Sequence, residues 1–324
     1  MTPAQPKDPG PPAAGGSPAE PDPAAGNAAF DGPAAGDVSL EDTAAGGMTP
    51  FDDIYDQPDP RAYFRALGPW EYRTPHHAQG VFRRVLDARA PERDPAGSAA
   101  VLDLCCSYGF NAALLNHHLT WDDLHVHYTS PQAAALTPAE LIEWDKEFYA
   151  ARRRPDAVRV IGLDAAPRAI SYARAVGLLD EGFAENLETA PAGPALRRAV
   201  RHTRLITITG GASFLSPRTF RPLLESVDGP VWVASFVLRT GSYQSIADCL
   251  TSYGLTTEKA TGRTFPQRRF TSERERRYAV AAVGAAGEDP SGKETDGYFH
   301  TALYLSRPAA DAAKTPLSAL VPPA

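Results

Sequence analysis

The stretch that decides the fold is Val101-Leu-Asp-Leu-Cys-Cys-Ser-Tyr-Gly109-Phe-Asn-Ala-Ala-Leu-Leu115. It opens as a short apolar strand whose end carries an acid, Asp103, next to Leu104. Small residues then lead into the apolar start of a helix. Such a run reads as a buried strand whose carboxyl end opens into a tight turn. In an open α/β sheet that edge is where ligands settle, most often where the strand order reverses. A second segment, Val160-Ile-Gly-Leu-Asp164-Ala-Ala-Pro167, repeats the arrangement, again ending in a carboxylate followed at once by a helix. An ionised carboxylate at that place can accept both hydroxyls of a ribose through charge-assisted hydrogen bonds. Read alone, an acid in this place is more often a helix N-cap, with Pro167 and Arg168 in the first turn.

Outward from these two segments, short apolar runs alternate with amphipathic stretches, the pattern of a parallel sheet covered by helices. The runs are Ala99 to Leu104, Val158 to Leu163, Gly182 to Ala184, Leu205 to Thr209 and Val231 to Phe236, with Leu255 to Thr261 and Tyr298 to Leu305 making seven strands. Ser245 to Tyr253 is predicted helical. Ser272 and Glu275 stand at capping-box spacing before a helix ending near Gly284 to Gly287, and Thr137-Pro-Ala-Glu140 is a second capping box with Pro at the first helical position. The 61 residues between Asp103 and Asp164 exceed the usual ~20 of a dinucleotide-binding unit and imply a helical insertion over residues 116–157.

The chain has 324 residues, 43% of them apolar, enough for one large α/β domain and a tail. Residues 1–47 hold 12 Ala, 9 Pro and 8 Gly with almost no aliphatic or aromatic side chains, a composition expected to be disordered. Met48 marks the change of composition, and translation is expected to begin there. Residues 48–98 read as an aromatic-rich helical cap, 99–306 as the α/β domain, and 307–324, rich in Ala and Pro, as a loose end. Of the net charge of −7, the first 47 residues carry −6, leaving a nearly neutral body that offers no field for a nucleic acid. The absence of a long apolar run and of a signal peptide points to a cytoplasmic protein with no membrane partner. Cys105, Cys106 and Cys249 read as free thiols in a reducing compartment, and the vicinal pair as small packing in the turn.

With these motifs in order, the chain resembles the class I S-adenosylmethionine-dependent methyltransferases over roughly residues 99–305. Asp103-Leu-Cys105-Cys-Ser107-Tyr108-Gly109 stands where the family has an acid followed by glycines at alternate positions. Asp164 with Ala165 stands at the ribose-binding acid, Glu185-Asn186 resembles the adenine-contacting segment, and Thr209-Gly-Gly is similar to the turn bordering cofactor and substrate. The resemblance implies a seven-stranded, Rossmann-like doubly wound sheet with helices on both faces, its last strand antiparallel. It also implies S-adenosyl-L-methionine as cofactor, held by Asp103, Cys105, Ser107, Tyr108, Gly109, Asn111, Asp164, Ala165, Glu185, Asn186 and Thr209. The departures are Cys105 and Ser107, which replace glycines and would be strained if the turn requires positive φ.

Methyl transfer from a sulfonium needs alignment and dryness more than acid–base chemistry, and a base only where the acceptor is protonated. His76 and His77 in Trp70-Glu-Tyr-Arg-Thr-Pro-His-His are the candidate bases, because they precede the first strand, where the family often places a substrate lid. The expected acceptor is a small molecule. His117, His118, His125 and His127 lie near Asp122 and Asp123, but their spacing fits no metal site, and structural or solvated roles are expected. The Arg268 to Arg277 stretch reads as a charged helix face, with Arg268 or Arg269, in a Thr264 to Phe270 loop, available to an acidic substrate. The residues leave two alternatives open. One is a non-catalytic, regulatory protein of the same fold. The other is a nicotinamide-dependent oxidoreductase, although residues 103–115 contain one glycine where that chemistry needs three.

Overall fold

The computed structural model describes residues 47–49, 51–89 and 99–321. The chain divides into Met1–Ser39 and Leu40–Ala324, and every described residue belongs to the second unit. The tail to which the disorder reading applies lies outside the described residues, apart from Gly47.

The strands are β1 (Ala100–Leu104), β2 (Arg159–Asp164), β3 (Glu181–Ala184), β4 (Thr203–Thr209), β5 (Trp232–Leu238), β6 (Leu255–Lys259), β7 (Phe265–Arg269) and β8 (Tyr298–Pro308). They form one sheet in the order β3-β2-β1-β4-β5-β8-β6, with β7 also paired to β8. The first five are parallel, and β8 runs antiparallel to β5, β6 and β7. Order reverses between β1 and β4, so the carboxyl ends of β1, β2 and β4 border the switch point where a doubly wound sheet takes its ligand.

Seven of these strands are the seven expected from the sequence, and β7 is an eighth. Residues 264–270 were read as a loop and are not one. The 11-residue β8 is longer than β6 can cover, and β7 pairs with its remaining length, Tyr298 to Thr301. Pro266 is accommodated at a register shift between Pro266 and Arg268, as proline in a strand requires.

Alternation along the strands divides the core between two faces. Val101, Val160, Leu205 and Phe236 pack on one side and Leu102, Leu104, Ile161, Ile206 and Val233 on the other. Helices α1 (Arg61–Leu67), α2 (Thr74–Ala88), α3 (Phe110–Asn116), α4 (Trp121–Thr129), α5 (Pro131–Ala135), α6 (Pro138–Ala150) and α7 (Pro167–Ala175) follow in chain order. The core side chains of α1, α2, α3, α4 and α7 belong to the first face. Further on come α8 (Pro194–Ala199), α9 (Pro217–Leu224) and α10 (Gln244–Ser252), on the second face, and α11 (Glu273–Ala285). The Thr137–Glu140 box caps α6 as expected, and a second box, Thr120 with Asp123, starts α4. Ser272 caps α11 at the Glu275 N–H, but the Glu275 carboxylate turns away to Arg268.

The insertion is held by a buried polar network. His127 Nε2 lies 2.5 Å from Asp145 Oδ1, and Asp145 Oδ2 accepts from the Tyr172 hydroxyl at 2.5 Å. Tyr128 links Tyr149 and Tyr172, and the His127 ring stacks between Trp144 and Phe148.

Residues 307–321 are not a loose end. Arg307 is fully buried beneath Trp232 and paired with Glu258, and Leu320 and Val321 enter the core. Arg84 donates to the Leu320 carbonyl. These few anchors were hidden in an Ala/Pro background. No helix among the described residues is long and apolar enough to cross a membrane.

Candidate functional site

Asp103 and Asp164 stand together at the carboxyl edge. Register pairs Asp103 with Gly162 and Leu104 with Leu163, which puts Asp164 one residue beyond the end of β1 on the adjacent strand. The intervening turn has Cys105 at φ 52°, Ser107 at 48° and Gly109 at 81°. All three alternate positions are therefore left-handed, the conformation glycine adopts freely and an L side chain adopts at roughly 1–2 kcal/mol each. The glycines opposite make room for the cysteine side chains without relieving that backbone strain: a Cβ on Gly211 would come 2.4 Å from the Cys105 Cβ, and one on Gly162 would come 2.7 Å from the Cys106 Sγ.

Asp103 points to the α3 face. Its Oδ1 accepts from Asn111 Nδ2 at 2.9 Å and Thr207 Oγ1 at 2.6 Å, while its Oδ2, buried, has no partner. Burial pushes its pKa up to about 7, against the pull of the two donors and with help from the nearby Asp164. Asp164 is also raised by burial, though it accepts the Ser107 N–H at 2.8 Å and the Ala166 N–H at 2.9 Å. The Ala165 N–H is a third backbone donor to the same carboxylate. The Ser107 hydroxyl is a second buried group without a partner.

Asn111 also bonds Thr209, extending the network to the end of β4. Glu185 accepts the Gly193 N–H and Asn186 the Glu188 N–H, so both brace the loop after β3. Ala165 lies beside Asp164 and is exposed. The Tyr108 ring leaves the turn altogether. Its hydroxyl accepts the Gln57 N–H at 2.9 Å and donates to the Ile54 carbonyl at 3.0 Å. Asp56 accepts the Arg168 N–H at 2.7 Å, so the cap of the α7 N-terminus comes from residue 56 and not from Asp164. Residues 54–57 thus strap the edge beside Asp164. Nothing in the sequence announced that role, because the contacts span 51 to 112 residues.

His77 is half-buried, 5.8 Å from Phe265 between ring centroids, and its Nε2 is buried with no hydrogen-bond partner. Burial first, then His76, Arg263 and Arg73, lower its pKa to about 4. His76 is exposed beside it. Tyr72, one of the aromatics at 63, 64, 70 and 72 that the sequence offers either to an apolar substrate or to packing of the helical cap, sets its hydroxyl against the turn after β4: a Cβ on Gly210 would lie 2.7 Å from it. Neither arginine proposed for an acidic substrate is available. Arg268 is buried and bidentate on Glu275, whose burial is outweighed by these bonds so that its pKa falls to about 2; Arg269 pairs with Glu71. The insertion histidines do not converge. His117 bonds the Ala113 carbonyl, His127 serves the Asp145 network and His125 packs on Phe64.

No protein-family profile matches this chain, and no curated protein matches it. Among solved structures it is similar to the plantazolicin methyltransferase BpumL in complex with SAH, with 10% identity over 79% of this chain and 93% of that one and a TM-score of 0.38. It is also similar to a SAM-dependent methyltransferase from Aquifex aeolicus (10% identity, 76% and 97% covered, TM-score 0.35). A third similarity is to the CurJ carbon methyltransferase (10% identity, 83% and 64% covered, TM-score 0.44).

Proposed function

We propose that this chain binds S-adenosyl-L-methionine at the carboxyl ends of β1 and β2 and transfers its methyl group to a small-molecule acceptor. The observation that carries the reading is that Asp103, buried, and Asp164, partly buried, stand two residues apart along neighbouring strands and flank a turn in which residues 105, 107 and 109 are all left-handed. Two carboxylates whose pKa values burial has raised favour a ligand that brings positive charge. A sulfonium nucleoside with an α-ammonium does so, whereas a dinucleotide pyrophosphate does not. The residues also fit by their unmet bonds, since Asp103 Oδ2 and Ser107 Oγ are buried without partners and such groups are costly unless a ligand satisfies them.

In this reading Asp164, beside Ala165, holds the ribose hydroxyls, and Glu185 and Asn186 border the base. Asp103, Asn111 and Thr209 face the amino-acid end, with the Cys105, Ser107, Tyr108 and Gly109 backbone forming the floor. The bound cofactor supplies an electrophilic methyl group on a positively charged sulfur. The chain's part is to orient the acceptor, exclude water and, for a protonated acceptor, receive the proton. His77, uncharged above about pH 4, has the free lone pair for that, and His76 stands next to it.

Calorimetry with S-adenosylmethionine, S-adenosylhomocysteine and NAD tests the reading. Binding of the first two, reduced at least tenfold by Asp164→Ala, is expected. Binding of NAD alone, or of none of the three, overturns it.

A further inference from the structure

We propose that Glu188 is a positioning residue that fixes the spacing between the two halves of the cofactor site, the nucleoside side carried by the loop after β3 and the amino-acid side carried by the turn after β4. This rests on the methyl-transfer reading, in which Glu185 and Asn186 border the base and Thr209 faces the amino-acid end. It adds a residue that stands between the two halves and acts through both.

Strands β3 and β4 are not neighbours, because β2 and β1 lie between them. No ladder of the sheet therefore sets the distance between the segments that follow them, and Glu188 spans the gap. Its Oε1 accepts the Ser216 N–H at 2.8 Å and the Thr219 hydroxyl at 2.7 Å, and its Oε2 accepts the Ser216 hydroxyl at 2.6 Å. Arg218 Nη1 donates to the Glu188 carbonyl at 2.9 Å, so the main chain is clasped as well. Burial, which would raise the Glu188 pKa, is outweighed by the Ser216 and Thr219 bonds, and the pKa falls below the ordinary carboxylate value. Bonds to an ionised acceptor are roughly twice as strong as neutral ones. Ser216 is the N-cap of α9, and a negative charge at a helix N-terminus is favourable in itself.

The contacts continue on both sides. Asn186 Oδ1 accepts the Glu188 N–H at 3.0 Å, and the Asn186 carbonyl accepts the Thr189 and Ala190 N–H groups, while Leu187 is buried in the second core face. On the β4 side the Phe214 N–H donates to the Gly211 carbonyl at 3.0 Å and the Leu215 N–H to the Ala212 carbonyl at 3.3 Å, a tight turn that ends at Ser216. Gly211 in turn packs on Cys105 of the left-handed turn, whose Sγ lies 3.8 Å from the Gly211 carbonyl oxygen. An unbroken run of contacts thus leads from Asn186 through Glu188 and Ser216 to the cofactor turn. The cofactor is two binding groups joined covalently. Once one half is held, the other binds intramolecularly, with an effective concentration that depends on how well the spacing of the two sites matches the ligand. A residue that sets this spacing acts on the joined ligand and leaves the affinity for either half alone nearly unchanged.

The test measures S-adenosylhomocysteine and its nucleoside half, adenosine, by calorimetry on the full chain and on its Glu188→Ala and Glu188→Gln variants, adenosine being titrated as a competitor. Glu188→Ala is expected to weaken S-adenosylhomocysteine tenfold or more and adenosine less than twofold. Glu188→Gln, whose amide carbonyl can still accept the Ser216 N–H and the Thr219 hydroxyl, is expected to stay within threefold of the parent for both. If the alanine variant does not fold, Thr219→Val replaces it, removing one bond at nearly constant shape, with a threefold or greater loss expected for S-adenosylhomocysteine and adenosine again within twofold. Unchanged S-adenosylhomocysteine affinity, equal losses for the two ligands, or a glutamine loss as large as the alanine loss overturns the proposal. The two readings fail separately: S-adenosylhomocysteine bound by the parent and indifferent to residue 188 removes the positioning role alone, and no binding to the parent removes methyl transfer and that role with it.

Discussion

Replacing Asp103 with asparagine is expected to stabilise the unliganded protein at pH 8 while weakening its hold on the cofactor. Asp103 is 1% exposed, and its folded pKa is about 7 against an ordinary 3.8. Between those values the folded chain keeps a proton that the unfolded chain releases, so stability falls as pH rises from about 4 to about 7. Each pH unit of the gap corresponds to about 1.4 kcal/mol, and a gap of roughly three to about 4 kcal/mol. Asparagine carries no charge to desolvate, and its carbonyl oxygen can accept the same bonds from Asn111 and Thr207. The variant is therefore expected to exceed the parent by about 2–4 kcal/mol at pH 8 and by almost nothing at pH 4. Urea denaturation followed by circular dichroism across this range reads the effect as a shift in midpoint at constant slope. Equal pH dependence in the two proteins, or a less stable variant at pH 8, refutes the reasoning.

The left-handed turn gives a second expectation: Ser107→Gly removes strain and an unpartnered hydroxyl and is expected to be about 1–2 kcal/mol more stable than Ser107→Ala, which keeps the Cβ. Urea midpoints of the pair decide it, and equal midpoints mean the strain is absent. Asp145→Ala leaves His127 Nε2 without its partner and the Tyr172 hydroxyl with Tyr128 alone, and is expected to cost about 2–5 kcal/mol in the same assay; a loss below about 1 kcal/mol would show the network contributes little. His77 and His300 both have pKa values lowered to about 4, from 6.5, chiefly by burial. The unfolded chain takes up their protons first as pH falls from about 6.5 to about 4, so stability is lost in that window, and the double Gln variant is expected to flatten the loss. Turnover of an oxygen acceptor is expected to fall about 100-fold or more in His77→Gln if that ring receives the proton, and unchanged turnover removes it from the mechanism.

Much of the sheet was legible because its central strands are short apolar runs, and two of them end in carboxylates that chain order alone places on one edge. The left-handed turn was readable by position but disguised by chemistry, since a cysteine and a serine stand at φ values suited to glycine. Strand β7 was not readable: Pro266 and two arginines give Phe265 to Arg269 the composition of a loop, and only the unpaired length of β8 makes it a strand. The same pairing explains why Arg268 and Arg269 looked available, because their partners Glu275 and Glu71 are 7 and 198 residues away. Tyr72, Asp56 and Gln57 act through contacts with distant turns, and no local pattern encodes such contacts.

The strap at residues 54–57 bears on how long a ligand stays. Its hydrogen bonds to Tyr108 and to the α7 N-terminus contribute about 0.5–1.5 kcal/mol apiece, or about 1.5–4.5 kcal/mol for the three together. In the proposed reading, release past that edge waits on an opened form amounting to about one molecule in ten to one in two thousand. Residence time would follow the Tyr108 hydroxyl and the Asp56 carboxylate, although neither group need touch what is released.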